Sequence, residues 1–150
     1  MFIALGTTIK IAGSQAAFRA VDHDAVLAIA SAAHKAGAQR LAMVSAMGAD
    51  PASNVFYSRV KGETEAALQT IGYATLVIAR PSMLAGDRAS LAQAPRLGER
   101  VGLLLMGMLK PLIPSNYRAI LATHVAQAMV QALAAGRGGV HILRSGQMQP

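Results

Sequence analysis

Leu41-Ala-Met-Val-Ser45, Tyr57-Ser-Arg-Val-Lys61 and Thr75-Leu-Val-Ile-Ala-Arg80 decide how this chain is read. The outer two are short apolar runs of strand length, the first with a hydroxyl at its carboxyl end. Between them, residues 55–70 carry apolar side chains at helical spacing. Strand, helix, strand in that order predicts a parallel sheet joined by right-handed crossovers. Tyr57 and Lys61, four residues apart, share one face of the helix, with Cβ atoms about 5–6 Å apart. Ligands of open α/β sheets sit beyond the carboxyl ends of the strands, which is where Ser45 is aimed as well.

Such a trio offers proton transfer coupled to hydride transfer. A free tyrosine titrates near pH ~10. An ammonium beside it favours the phenolate and is expected to bring that value down. The phenol then exchanges a proton with a carbonyl or alcohol oxygen, which Ser45 holds through a second hydrogen bond. Three tyrosines and four lysines in 150 residues produce one such spacing by chance about 0.08 times. The pair alone is therefore a weak signal, and an exposed helix with a solvated lysine is the alternative. The flanking strands and Ser45 favour the site.

Three motifs carry a family likeness: Val44-Ser-Ala-Met-Gly-Ala-Asp50, Tyr57-Ser-Arg-Val-Lys-Gly-Glu63 and Ile78-Ala-Arg-Pro-Ser-Met-Leu-Ala-Gly86. With them the chain resembles the atypical short-chain dehydrogenases, in the branch of the NAD(P)H-binding, Tat-interacting-protein-like oxidoreductases near the nucleotide-sugar epimerases. Leu5-Gly-Thr-Thr8, Val21-Asp-His-Asp24, Tyr117-Arg-Ala-Ile120 and Val125-Ala-Gln-Ala-Met129 extend the likeness over nearly the whole chain. The resemblance implies one partial Rossmann-like domain over residues 1–150. Its fold class is α/β, the C-terminal part of a doubly wound parallel sheet of about four strands with flanking helices. The implied function is an NADP- or NAD-dependent oxidoreductase or epimerase-type enzyme acting on a small-molecule substrate. Tyr57 would be the acid/base, Lys61 would lower its pKa and bind the nicotinamide ribose, and Ser45 would position the reacting oxygen. Leu5, Gly6 and Thr7, and on another loop Pro81, Ser82 and Met83, would pass the cofactor. The rival implications are a non-enzymatic cofactor-sensing or protein-binding role, and an inactive truncated remnant.

Two departures from the family pattern bear on these expectations. Ala46 stands where the family commonly has a second serine, and no Gly-rich dinucleotide turn occurs anywhere in the sequence. By resemblance, the chain begins at the family's fourth strand. Residues 1–150 alone are therefore expected to bind NAD(P) weakly or not at all. They are also expected to self-associate through the Phe2–Leu5 edge or the apolar run Val101–Leu109.

The bulk properties narrow the alternatives. Apolar residues make up 53% and charged residues 14%, which excludes a disordered segment. The net charge of +7 raises nucleic acid as a partner, but the basic residues are scattered singly and aromatics are 4%, so no stacking platform forms. No nucleic-acid role is expected, and no membrane span, because Val101–Leu109 is far below the ~20 residues a bilayer needs. With no cysteine there is no disulfide framework. That absence, and the lack of a visible secretory signal, lead to an expected cytoplasmic location.

Several local expectations complete the reading. Ser14 to Lys35 is a helix capped by Ser14 and stopped by Gly37, its buried stripe running Phe18, Val21, Ala25, Ala28 or Ile29, and Ala32. Asp22, His23 and Asp24 fan out around it and cannot close on one ion, so no metal site is expected and all three are assigned to solvated surface. Ser53 or Asn54 caps the Tyr57 helix, Gly62 admits a close backbone approach, and Glu63 and Glu65 face solvent. Arg80 binds either an anionic ligand group or a structural carboxylate. Thr123 caps a last helix to Ala135, and Gly139 to Leu143 is the last strand.

Overall fold

The computed structural model describes residues 1–85 and 114–150, so Val101–Leu109 and the loop from Gly86 onward lie outside the described residues. Strand β1 (Phe2–Ile3) is followed by the short helix α1 (Ile9–Ala12) and by α2 (Gln15–Arg19). A π-helical turn (Ala20–Ala25) leads into α3 (Val26–Lys35). Then come β2 (Arg40–Val44), α4 (Phe56–Gln69), β3 (Thr75–Arg80) and β4 (Leu84–Ala85). Further along the chain, β5 (Ile120–Leu121) runs into α5 (Ala122–Ala134), and β6 (Gly139–Arg144) closes the order. The main sheet has four parallel strands in the order β1-β2-β3-β6, and β4 and β5 form a separate parallel pair.

Strand periodicity divides the core in two. Leu41 and Met43 of β2 and Leu76 and Ile78 of β3 meet Val26 and Ala30 of α3 and Leu68 of α4 on one face. Ala42, Val77 and Ala79 point to the opposite face, where Val125, Met129 and Leu133 of α5 cover them. Strands buried on both sides are continuous apolar runs, which is why these segments are legible in the sequence.

The helices divide between the two layers. From β1 to β2 and from β2 to β3 the chain steps across the sheet in one direction with its helices on one face. The step from β3 to β6 continues in that direction with α5 on the other face. Helices thus cover both faces of the parallel sheet, as the doubly wound reading expects. The α5 stripe packs against the small side chains Ala42 and Ala79, which lie on that face alone.

Helix ends follow the sequence in part. Ser14 caps α2, its hydroxyl accepting from Ala17 N–H at 3.0 Å. The cap of α4 is Val55, with no side-chain bond, because Ser53 Oγ accepts from Val55 N–H and serves the preceding turn instead. Thr123 lies inside α5, since β5 enters that helix directly and leaves Leu121 at the cap position. The first strand is shorter than Phe2–Leu5 and pairs with β2 only through Phe2 and Ile3.

Candidate functional site

All four strands of the main sheet run parallel, so the turns after β1, β2, β3 and β6 gather at one edge of it. Lys61 on α4 is buried, and its Nζ lies 2.7 Å from Asp22 Oδ1. Asp22 Oδ2 accepts the Thr7 N–H at 2.8 Å, and its backbone carbonyl accepts from Thr64 Oγ1 at 3.0 Å. Thus α2–α3, α4 and the turn after β1 meet on one carboxylate. The turn comes close because residue 6 is glycine: a Cβ there would lie 3.2 Å from Asp22 Oδ1 and 3.6 Å from Lys61 Nζ.

Asp22 is a correction to the surface assignment of Asp22, His23 and Asp24. It is 1% exposed, whereas His23 and Asp24 pair with each other at 2.7 Å on the outside. The residues buried along this helix are Phe18, Asp22, Val26 and Ala30, a period of four in place of the expected stripe through Val21 and Ala25. A continuous α-helix would rotate such a set steadily off the core; the π turn at Ala20–Ala25 resets the phase. The signal was present as the spacing from Phe18 to Asp22, but a carboxylate in a core position reads as an error until its cation is known. Among the described residues no cluster of His, Cys, Asp and Glu is arranged to hold a metal.

Tyr57 sits at the start of α4, half-buried, with its ring centroid 5.5 Å from that of Phe18. Its pKa is raised above 10.0, first by burial and second by the negative charge of Asp22. The expectation that Lys61 lowers this pKa is therefore corrected. The Lys61 ammonium is engaged by Asp22, and the net effect of the surroundings is to keep the phenol protonated.

Ser45 is turned elsewhere. Buried at the end of β2, it donates its hydroxyl proton to Glu65 Oε1. Glu65, four residues beyond Lys61, takes Arg80 on its other side: Arg80 Nε lies 3.1 Å from each carboxylate oxygen and Nη2 2.6 Å from Oε2. Glu65 is 2% exposed, which corrects its assignment to solvent, while half-exposed Glu63 pairs with Arg19. Ser45, Glu65 and Arg80 tie β2, α4 and β3 together, and of the two roles open to Arg80 the structural ion pair is the one observed. The clue to Glu65 was its spacing, since Tyr57, Lys61 and Glu65 recur every four residues along one side of α4.

The remaining expected contacts divide between two places. Gly6 and Thr7 lie beside the Asp22–Lys61 pair, and Leu5 and Gly6 are exposed. Pro81, Ser82 and Met83 lie toward β6. The Pro81 carbonyl accepts from Met47 N–H at 2.9 Å, Ser82 donates to the Arg118 carbonyl, and the Met83 side chain is exposed. A cleft of about 260 Å³ opens at this edge between Met47, Gly48, Arg80, Asn116, Tyr117 and Arg144.

The chain matches no protein-family model. It is 33% identical to Protein HTATIP2 of Rattus norvegicus over 144 residues, 96% of this chain and 57% of that protein. It is 44% identical over 85 residues to Protein fmp52, mitochondrial, of Emericella nidulans, 57% of this chain and 36% of that protein. Against Protein FMP52, mitochondrial, of Saccharomyces cerevisiae, it is 35% identical over 94 residues, 63% of this chain and 41% of that protein. The likeness is to atypical short-chain-dehydrogenase-like proteins, at modest identity. The chain spans between about a third and three fifths of the length of these relatives. The fungal relatives are named mitochondrial, which overturns the expected cytoplasmic location. A cysteine-free composition excludes dependence on disulfides and says nothing about which reducing compartment holds the protein. No helix among the described residues is long and apolar enough to cross a membrane.

Proposed function

We propose that residues 1–150 supply the acid/base and nicotinamide-side part of an NAD(P)-linked oxidoreductase or epimerase-type enzyme of the short-chain class. One observation carries this reading: Tyr57 and Lys61 share a face of α4 at the carboxyl edge of the sheet, under a glycine turn folded onto the Asp22–Lys61 pair. The cradle fits a ribose. Lys61 pairs its charge with Asp22 and carries three N–H donors, and the small residues Gly6 and Thr7 let backbone approach closely. When bound, NAD(P) supplies or accepts the hydride.

The chain's own residues handle the proton. Tyr57, kept protonated at neutral pH by burial and by Asp22, donates its phenolic proton to a carbonyl oxygen as that carbon is reduced. In the oxidative direction the phenolate takes the proton back. Lys61 orients the ribose, and Asp22 positions Lys61. Ser45 has given its only proton to Glu65, so it can accept a hydrogen bond from a substrate hydroxyl but has none to donate to a carbonyl.

The test is made on a polypeptide that joins a Gly-rich nucleotide-binding unit to residues 1–150, since this stretch alone is expected to bind NAD(P) weakly. Tyr57→Phe should lower kcat at least the ~10²-fold characteristic of a positioned acid/base, with the circular dichroism spectrum unchanged. Undiminished turnover would remove the catalytic role. The second reading, a non-enzymatic cofactor-sensing protein, draws on the engagement of Ser45 by Glu65, and it requires cofactor binding without turnover in either form. The names of the fungal relatives extend the proposal to a mitochondrial location, which fractionation of cells expressing the tagged full-length protein would check. Self-association of residues 1–150 through the β1 edge belongs to the same proposal.

A further inference from the structure

Arg80 and Arg144 are register partners across the β3–β6 pair, so two guanidinium groups leave the same face of the sheet at its carboxyl edge. Like charges opposite one another on neighbouring strands repel. Glu65 neutralises Arg80, but among the described residues no carboxylate lies against Arg144. An exposed arginine needs no partner of its own. This one, however, lines a cleft whose other polar groups are mainly donors. Asn116 Oδ1 accepts from Gly146 N–H at 2.9 Å, which leaves its amide N–H groups to donate. Tyr117 adds an exposed phenol, and Ser145 has already turned its hydroxyl to Ser82 at 3.0 Å. The Arg144 backbone is held in place by Gln147 Oε1, 2.7 Å from its N–H.

We propose that this cleft holds the carboxylate of a small acidic ligand on Arg144 and that, on the functional reading above, this ligand is the substrate. Among the described residues Arg144 is the guanidinium of this cleft with no carboxylate against it, and its planar fork matches a carboxylate. A volume of about 260 Å³ suits a small organic acid. The cleft adjoins the acid/base helix through Gly48, where an added Cβ would lie 3.9 Å from Ser58 Oγ, the residue after Tyr57.

Benzoate is a suitable probe, with benzyl alcohol as its uncharged counterpart, titrated into the full 150-residue chain and followed by amide NMR. Benzoate should move the Gly48, Asn116 and Gly146 signals saturably, and benzyl alcohol should leave them in place. Arg144→Gln should weaken benzoate binding about tenfold or more with an unchanged thermal midpoint, and Arg144→Lys should recover part of it. Benzoate binding is read without turnover, so loss of the catalytic reading would not disturb this result, nor would failure of benzoate to bind disturb that reading. The proposal is overturned if benzoate gives no saturable response, if benzyl alcohol gives the same one, or if Arg144→Gln binds as tightly. Tighter binding of inorganic phosphate than of benzoate would overturn the carboxylate assignment.

Discussion

Removing the carboxylate of Asp22 leaves Lys61 buried without a counter-charge, and breaking a buried pair from one side costs about 3–5 kcal/mol. Asp22→Asn should therefore lower the thermal midpoint markedly. It should also lower the pKa of Tyr57, because the Asp22 charge is the second cause of its elevation. A folded state that holds this proton above pH ~10, where the unfolded chain has released it, loses stability as pH rises past that value. The Tyr57 part of that loss should be smaller in Asp22→Asn, because the folded pKa then lies closer to the unfolded one, and an ultraviolet titration of the phenols, referenced to Tyr57→Phe, reads that shift. An unmoved midpoint and an unmoved phenol titration would show that the pair does not govern the site. Ser45 calls for the opposite pattern. Ser45→Ala removes one buried bond to a charged acceptor, about 1.5–3 kcal/mol, while Glu65 keeps Arg80. Thermal midpoint and kcat measured on one preparation should show stability falling more than the rate of carbonyl reduction; the reverse would return Ser45 to the substrate oxygen.

Within α4 the informative position is Gly62. A Cβ there would lie 2.2 Å from Pro51 N and 2.3 Å from Asp50 C, so the turn after β2 rests on bare helix backbone. Glycine costs a helix about 1 kcal/mol relative to alanine, yet here the alanine methyl cannot fit without moving the Asp50–Pro51 backbone. Gly62→Ala should therefore destabilise, by the 1–3 kcal/mol or so of an overpacked core, despite its better helix propensity. Chemical denaturation gives the sign directly, and a stabilised variant would mean that the turn yields freely. The π turn at Ala20–Ala25 acts at the same level, since by resetting the helical phase it allows Phe18, Asp22, Val26 and Ala30 to share one buried side.

Among the described residues, the main sheet ends in two edge strands, β1 and β6. The β6 edge has Arg137 just before it and Arg144 at its end, whereas β1 has no charged residue and leaves Phe2 52% exposed. Beside Phe2 an apolar groove of about 380 Å³ runs between β1 and α5, lined by Ala4, Val44, Leu84, Val125 and Met129. An unguarded edge continuous with an apolar groove favours pairing with another strand. Sedimentation velocity on residues 1–150 should show concentration-dependent association that Phe2→Lys reduces. A monomer at all concentrations would exclude the edge as a contact.

The sequence by itself determined the parallel α/β fold, because strands buried on both faces must be apolar throughout and the helices between them must carry one apolar stripe. It also determined that Tyr57 and Lys61 share a helix face, since a four-residue spacing is local geometry. It did not determine where either side chain finds its charge partner. Asp22 lies 39 residues before Lys61, and Glu65 lies 15 before Arg80; those pairs exist only once the helices pack on the sheet. Burial reverses the meaning of an isolated acidic residue: exposed it is solvated, but enclosed it needs a cation, and which residues are enclosed is a tertiary fact. For the same reason only the folded chain decides that the phenol of Tyr57 stays protonated, that Ser45 faces Glu65, and that the helix leading into β6 covers the opposite face of the sheet.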